Sequence, residues 1–172
     1  PYADAHEREK LDLVLPDEGE GPFPVVVAVH GGAWKFRFKR ADNIAGLFQA
    51  ASQGYAVASV GYRLSSHAKW PAQVNDVKAA IRYLRNHAEE YHLDPKCVIV
   101  CGNSSGGHIA QTVAATNDDI DFEDCLLGDC GDSSVQGCFS MYGVSDIYVC
   151  EHQTGHRDDG DNPMSPPDQV MG

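Results

Sequence analysis

The stretch "CVIVCGNSSGGHIA", residues 97–110, decides how this chain is read. Its first half is a short apolar run, the pattern of a strand buried on both faces of a parallel sheet. Its second half opens a helix that carries Ile109, and then Val113, inward. Glycines and two adjacent serines separate the halves. A buried strand that turns at glycines directly into a helix is the repeating unit of an α/β fold.

Other segments extend the pattern in both directions. "PVVVAVH" (24–30) and "YAVASVGY" (55–62) read as further buried strands, and "VQGCFSMYG" (135–143) as a weaker one. "LDLVL" (11–15) alternates, as an antiparallel edge strand does. A helix beginning at Pro71 places Val74, Val77, Ile81, Leu84 and Ala88 on one face, and a second helix covers residues 42–53. The expectation is a single α/β domain over residues 1–172, with a mostly parallel sheet and helices on both faces. Past Gly143 the pattern dissolves into "CEHQTGHRDDGDNPMSPPDQVMG" (150–172), rich in Asp, Gly and Pro. A sheet ending on such a segment lacks its closing strands, which are expected beyond Gly172.

Composition excludes several classes of partner. The 172 residues carry 25 acidic against 13 basic side chains, a formal net charge of -12. Such a surface repels phosphate backbones and anionic headgroups, so neither nucleic acid nor a membrane surface is an expected partner. No apolar stretch approaches the roughly 18 residues of a spanning helix, and "PYADAHEREK" has no signal-peptide core. Of the six cysteines, Cys97, Cys101 and Cys138 lie in apolar runs and read as buried thiols, while Cys125 and Cys130 can pair locally. No cysteine or histidine spacing suggests zinc, and "HRDDGDN" (156–162) lacks the ligand spacing of a calcium loop. No metal or cofactor is expected, and the cysteine pattern fits a reducing, cytoplasmic setting.

The chemistry resides in "GNSSG". Gly102 and Gly106 are the outer positions of G-x-S-x-G and Ser104 is its centre; Ser105 falls out of frame. That frame places a serine on a sharp strand-to-helix turn, lifting its hydroxyl above the carboxyl edge of the sheet. The plain alternative is a glycine-rich turn with a capping serine. A second glycine motif, "HGGAW" (30–34), ends another strand. Acyl transfer builds negative charge on a carbonyl oxygen, and backbone amides aimed at that oxygen lower the barrier. Gly32 and Ala33 are candidate donors, joined by the amide of Ser105 at the start of the helix. Trp34, with Tyr62 and Trp70, is a candidate pocket wall for substrate.

Together "HGGAW", "YRLS", "AKWPAQVNDVKAAIRYLR" and "GNSSGGHIA" resemble the α/β-hydrolase superfamily, in its esterase and lipase branch related to hormone-sensitive lipase. The particular likeness is to bacterial acetyl-ester and feruloyl-esterase-like enzymes, and "DNPMSPPDQVMG" also resembles a segment of theirs. The resemblance implies a serine carboxylesterase acting on small acyl esters, often acylated sugars or plant polysaccharide fragments. It implies Ser104 as nucleophile and the "HGGAW" loop as oxyanion hole, with no cofactor. A catalytically inactive binding protein of the same fold and an arylformamidase-like amide hydrolase are the alternatives.

A serine nucleophile requires a base and an acid, which follow it in this fold in the order Ser, Asp or Glu, His. Asp146, His152 and His156 satisfy the order formally, but their spacing leaves little room for the strand and helix that normally separate acid from base. The resemblance places both partners beyond Gly172. His108 reads as a packing residue on the helix and His30 as one that orients its loop. Arg63 and Asp76 read as a structural salt bridge.

Overall fold

The computed structural model describes residues 1–147 and Val149. The apolar runs become strands β1 (Leu11–Val14), β2 (Phe23–Val29), β3 (Ala56–Val60), β4 (Leu93–Asn103) and β5 (Gly137–Met141). They form one sheet in the order β1-β3-β2-β4-β5. β1 runs antiparallel to β3 at one edge, and every other neighbour is parallel. Alternation along β2 divides the core between two faces. Val25, Val27 and Val29 join one apolar cluster, whereas Val26 and Ala28 join the other.

Helices α1 (Ala72–Asn86) and α2 (Ser105–Ala115) cover the first face. Val74, Val77, Ile81 and Leu84 of α1 and Ile109 and Val113 of α2 are buried against it. Each such side chain contributes on the order of 1.5–3 kcal/mol by leaving water. The other face is covered by the expected helix over Asp42–Gln53, which is of the 3-10 type. Ile44 is its one fully buried residue, with Leu47, Phe48, Ala50 and Ala51 partly buried against the same cluster. α1 begins where the Pro71 carbonyl accepts from the amides of Val74 at 2.9 Å and Asn75 at 3.1 Å.

Two readings of the cysteines are corrected. Cys101 is buried, but Cys97 is only half-buried and Cys138, on the outermost described strand, is exposed together with Phe139. Cys125 and Cys130 are free thiols in an exposed loop. The acidic loop 156–162, the tail segment 161–172, His152 and His156 lie outside the described residues.

Candidate active site

β4 ends at Asn103, and the chain reverses into α2 through Ser104 alone, whose backbone sits at φ 51°, ψ −126°. A side chain in that region is strained by about 1–3 kcal/mol and persists only when its surroundings fix it. Here the surroundings do so. The Ser104 amide donates to the Met141 carbonyl of β5 at 3.0 Å, and its own carbonyl accepts from the His108 amide at 3.0 Å. The flanking glycines are demanded by close approach. A Cβ on Gly102 would collide with the backbone of Gly106, and one on Gly106 with the carbonyl groups of Val29 and His30. The spacing read from the sequence is therefore the contact between the start of α2 and the end of β2. Ser105 is the first residue of α2 and is 1% exposed.

Val29 stands opposite Gly102, so the loops after β2 and β4 leave neighbouring strands at the same edge. In the first loop, His30 is buried and stacks on Tyr62 with ring centroids 4.3 Å apart. Its Nδ1 donates to the Gly31 carbonyl at 2.8 Å, and the Tyr62 hydroxyl donates to the His30 carbonyl at 2.7 Å. Burial pushes the His30 imidazole down to about 4, so it is neutral and fixed, as a loop-orienting residue should be. Gly32, Ala33 and Trp34 follow with consecutive positive φ values of 132°, 50° and 56°. The Gly32 carbonyl closes this turn by accepting from Lys35 at 3.0 Å and Phe36 at 2.9 Å. The Gly31 amide is already committed to Asn103 Oδ1 at 3.0 Å. The amides of Gly32 and Ala33 donate to no acceptor among the described residues. Ser105 adds an amide of the first turn of α2, where helical N–H groups lack intrahelical partners.

Trp34, expected as a pocket wall, is 3% exposed and stands edge-on to His108, with ring centroids 5.4 Å apart. Its ring is part of the core that supports the loop. His108 is packed between Trp34 and Trp70, the latter at 4.7 Å, and burial pushes its imidazole down to about 4. Asp146 is exposed and its Oδ1 accepts from the Val149 amide at 2.9 Å, capping a turn. Arg63 grips Asp76 through its backbone amide at 2.6 Å and its guanidinium at 2.6 and 3.0 Å, and also faces buried Glu9 at 3.3 Å. This is the structural ion pair expected of it. Among the described residues no cluster of His, Cys, Asp and Glu is arranged to hold a metal ion, and no helix is long and apolar enough to cross a membrane.

Asn103 and Tyr142 were not singled out by the sequence. Asn103 Nδ2 donates to the Tyr142 hydroxyl at 3.0 Å, linking the turn to the end of β5.

The BD-FAE family model matches residues 11–172. The chain belongs to the BD-FAE family. Among proteins similar to this BD-FAE chain is the esterase LipC of Mycobacterium tuberculosis, 33% identical over 73% of this chain and 31% of its own length. Another is the esterase LipQ of the same organism, 30% identical over 88% of this chain and 36% of its own. The chain thus spans about a third of the length of these curated relatives. Among solved structures, a bifunctional GH43-CE protein of Bacteroides eggerthii superposes with a TM-score of 0.83 at 33% identity, covering 99% of this chain and 25% of its own. A truncated carbohydrate esterase from gut microbiota gives a TM-score of 0.75 at 30% identity, covering 99% of this chain and 63% of its own. The fold is that of the α/β-hydrolases.

Proposed function

We propose that this chain carries the nucleophile and oxyanion hole of a serine carboxylesterase that cleaves small acyl esters. The observation that supports it most is the strained backbone of Ser104 beside a loop whose Gly32 and Ala33 amides have no described acceptor. In this reading Ser104 Oγ attacks the acyl carbonyl carbon and gives its proton to a histidine base. The negative oxygen of the tetrahedral species is held by the amides of Gly32, Ala33 and Ser105. The alcohol leaves with the proton returned by the base, and water then releases the acid from the acyl-serine. The reading assigns neither base nor acid to Asp146 and the histidines that follow it, which are too close in sequence to flank a strand and helix. Acylated sugars are the proposed substrates, supported by the carbohydrate esterase from gut microbiota among the similar structures. A cytoplasmic location is part of the same reading, supported by five free thiols among the described residues.

An organophosphonate ester tests the reading in the natural full-length protein. It should add to Ser104, giving one modified peptide by mass spectrometry, and Ser104→Ala should abolish both labelling and p-nitrophenyl acetate turnover. Labelling that survives Ser104→Ala and vanishes with Ser105→Ala would overturn the assignment.

A further inference from the structure

Asn103 is the first unspecified residue of the G-x-S-x-G frame, and its side chain connects two other segments at the carboxyl edge. It is 2% exposed, yet both ends of its carboxamide are committed. Oδ1 accepts from the Gly31 amide at 3.0 Å, in the loop after β2. Nδ2 donates to the Tyr142 hydroxyl at 3.0 Å, just past β5. The orientation is fixed by chemistry, since a backbone N–H can only donate and must meet the oxygen end. The approach is also tight. A Cβ on Gly31 would lie 2.7 Å from the Asn103 carbonyl oxygen and 3.2 Å from Oδ1. Gly31 has no positive φ, so its glycine serves this contact and not a turn. Tyr142, the other partner, holds a positive φ of 43°. The Tyr142 side chain is 75% exposed, and its hydroxyl reaches back to the buried Asn103 carboxamide.

We infer that Asn103 is a positioning residue: its carboxamide clamps the loop after β2 and the end of β5 to the serine turn, withdrawing the Gly31 amide and leaving those of Gly32 and Ala33 to face Ser104. The inference rests on the esterase reading and says which of its donors are in use. Its energetic logic is preorganisation. An oxyanion donor displaced by about 1 Å forfeits roughly a hundredfold in rate while substrate binding is little affected. The carboxamide touches no reacting atom; it acts through the loop.

The test uses steady-state kinetics on p-nitrophenyl acetate in the full-length protein, with thermal midpoints alongside. Asn103→Leu preserves volume and removes both hydrogen bonds; kcat should fall about 10- to 100-fold with KM within about threefold. Asn103→Asp keeps an acceptor for the Gly31 amide, and the Tyr142 hydroxyl can turn to donate to the second oxygen, so kcat should return to within about fivefold of the natural protein. A folded Asn103→Leu with natural kcat overturns the inference, as does a loss that Asn103→Asp does not recover. Should Asn103→Leu fail to fold, Tyr142→Phe decides. It frees one end of the carboxamide and should lower kcat about threefold or more at unchanged KM; an unaltered kcat overturns the clamp. Ser104→Ala separates the two levels. If that variant still turns over, the esterase reading fails. If it is dead while the Asn103 and Tyr142 variants match the natural protein, the clamp alone fails.

Discussion

A serine held at φ 51° is a stability cost, which the proposed role of Ser104 as nucleophile accounts for. Glycine tolerates that backbone and alanine does not, so the two ways of deleting the hydroxyl should differ. Ser104→Gly should be more stable than Ser104→Ala by about 1 kcal/mol in urea unfolding, although both are inactive. An equal or higher stability for Ser104→Ala would mean that the turn carries no strain at that residue. At this scale the glycines were legible in the sequence, because their spacing is a collision rule between two backbones. Asn103 was not, since its partners are Gly31 and Tyr142, which only the sheet brings to it. Trp34 was legible as a loop aromatic but not as a buried one, because a residue just after a strand can pack inward or line a pocket with the same neighbours in sequence.

The elements repeat the lesson with charge. The apolar stripe of α1 announced a helix lying on a sheet, but Lys78 and Arg82 on the same helix are also buried, at 0% and 1% exposure. The apolar periodicity alone says nothing of what these two cations meet. In the fold, the loop between α2 and β5 covers them, and Glu123 of the loop joins both cations. It accepts from Lys78 Nζ at 3.0 Å and from Arg82 at 2.6 Å, while Arg82 also donates to the carbonyls of Asp124, Leu127 and Asp129. Removing the Glu123 charge leaves two buried cations without a counter-charge among the described residues, the costly way to break a buried pair. Glu123→Gln, which keeps the shape, should lose about 3 kcal/mol in urea unfolding. A loss below about 1 kcal/mol would show that the carbonyl groups alone satisfy both cations. The segment Asp42–Gln53 was legible as a helix but not in its 3-10 geometry.

For the whole molecule, the two buried histidines at the carboxyl edge set how the fold responds to acid. His30 and His108 are held near 4 by burial, below the ordinary value of 6.5. As pH falls below 6.5 the unfolded chain takes up these protons and the folded chain does not. Their contribution to stability is therefore complete above about pH 6.5 and is lost progressively as pH falls toward 4, by up to about 3 kcal/mol for each. Glu9 and Asp76 act in the opposite sense. Burial raises both above the ordinary carboxylate range, so their contribution is present at low pH and fades as pH rises through the raised values. The histidine term is isolated by difference. His108→Phe keeps an aromatic ring between Trp34 and Trp70 and deletes one titration, so its stability should fall less steeply than that of the natural protein between pH 6.5 and 4. Unfolding free energies measured across that interval check it, and parallel profiles would show that His108 takes up its proton without leaving the fold. The same neutrality keeps a fixed positive charge from His30 and His108 away from the Ser104 turn at neutral pH, so in the proposed esterase reading the stabilisation of an oxyanion there falls to backbone amides.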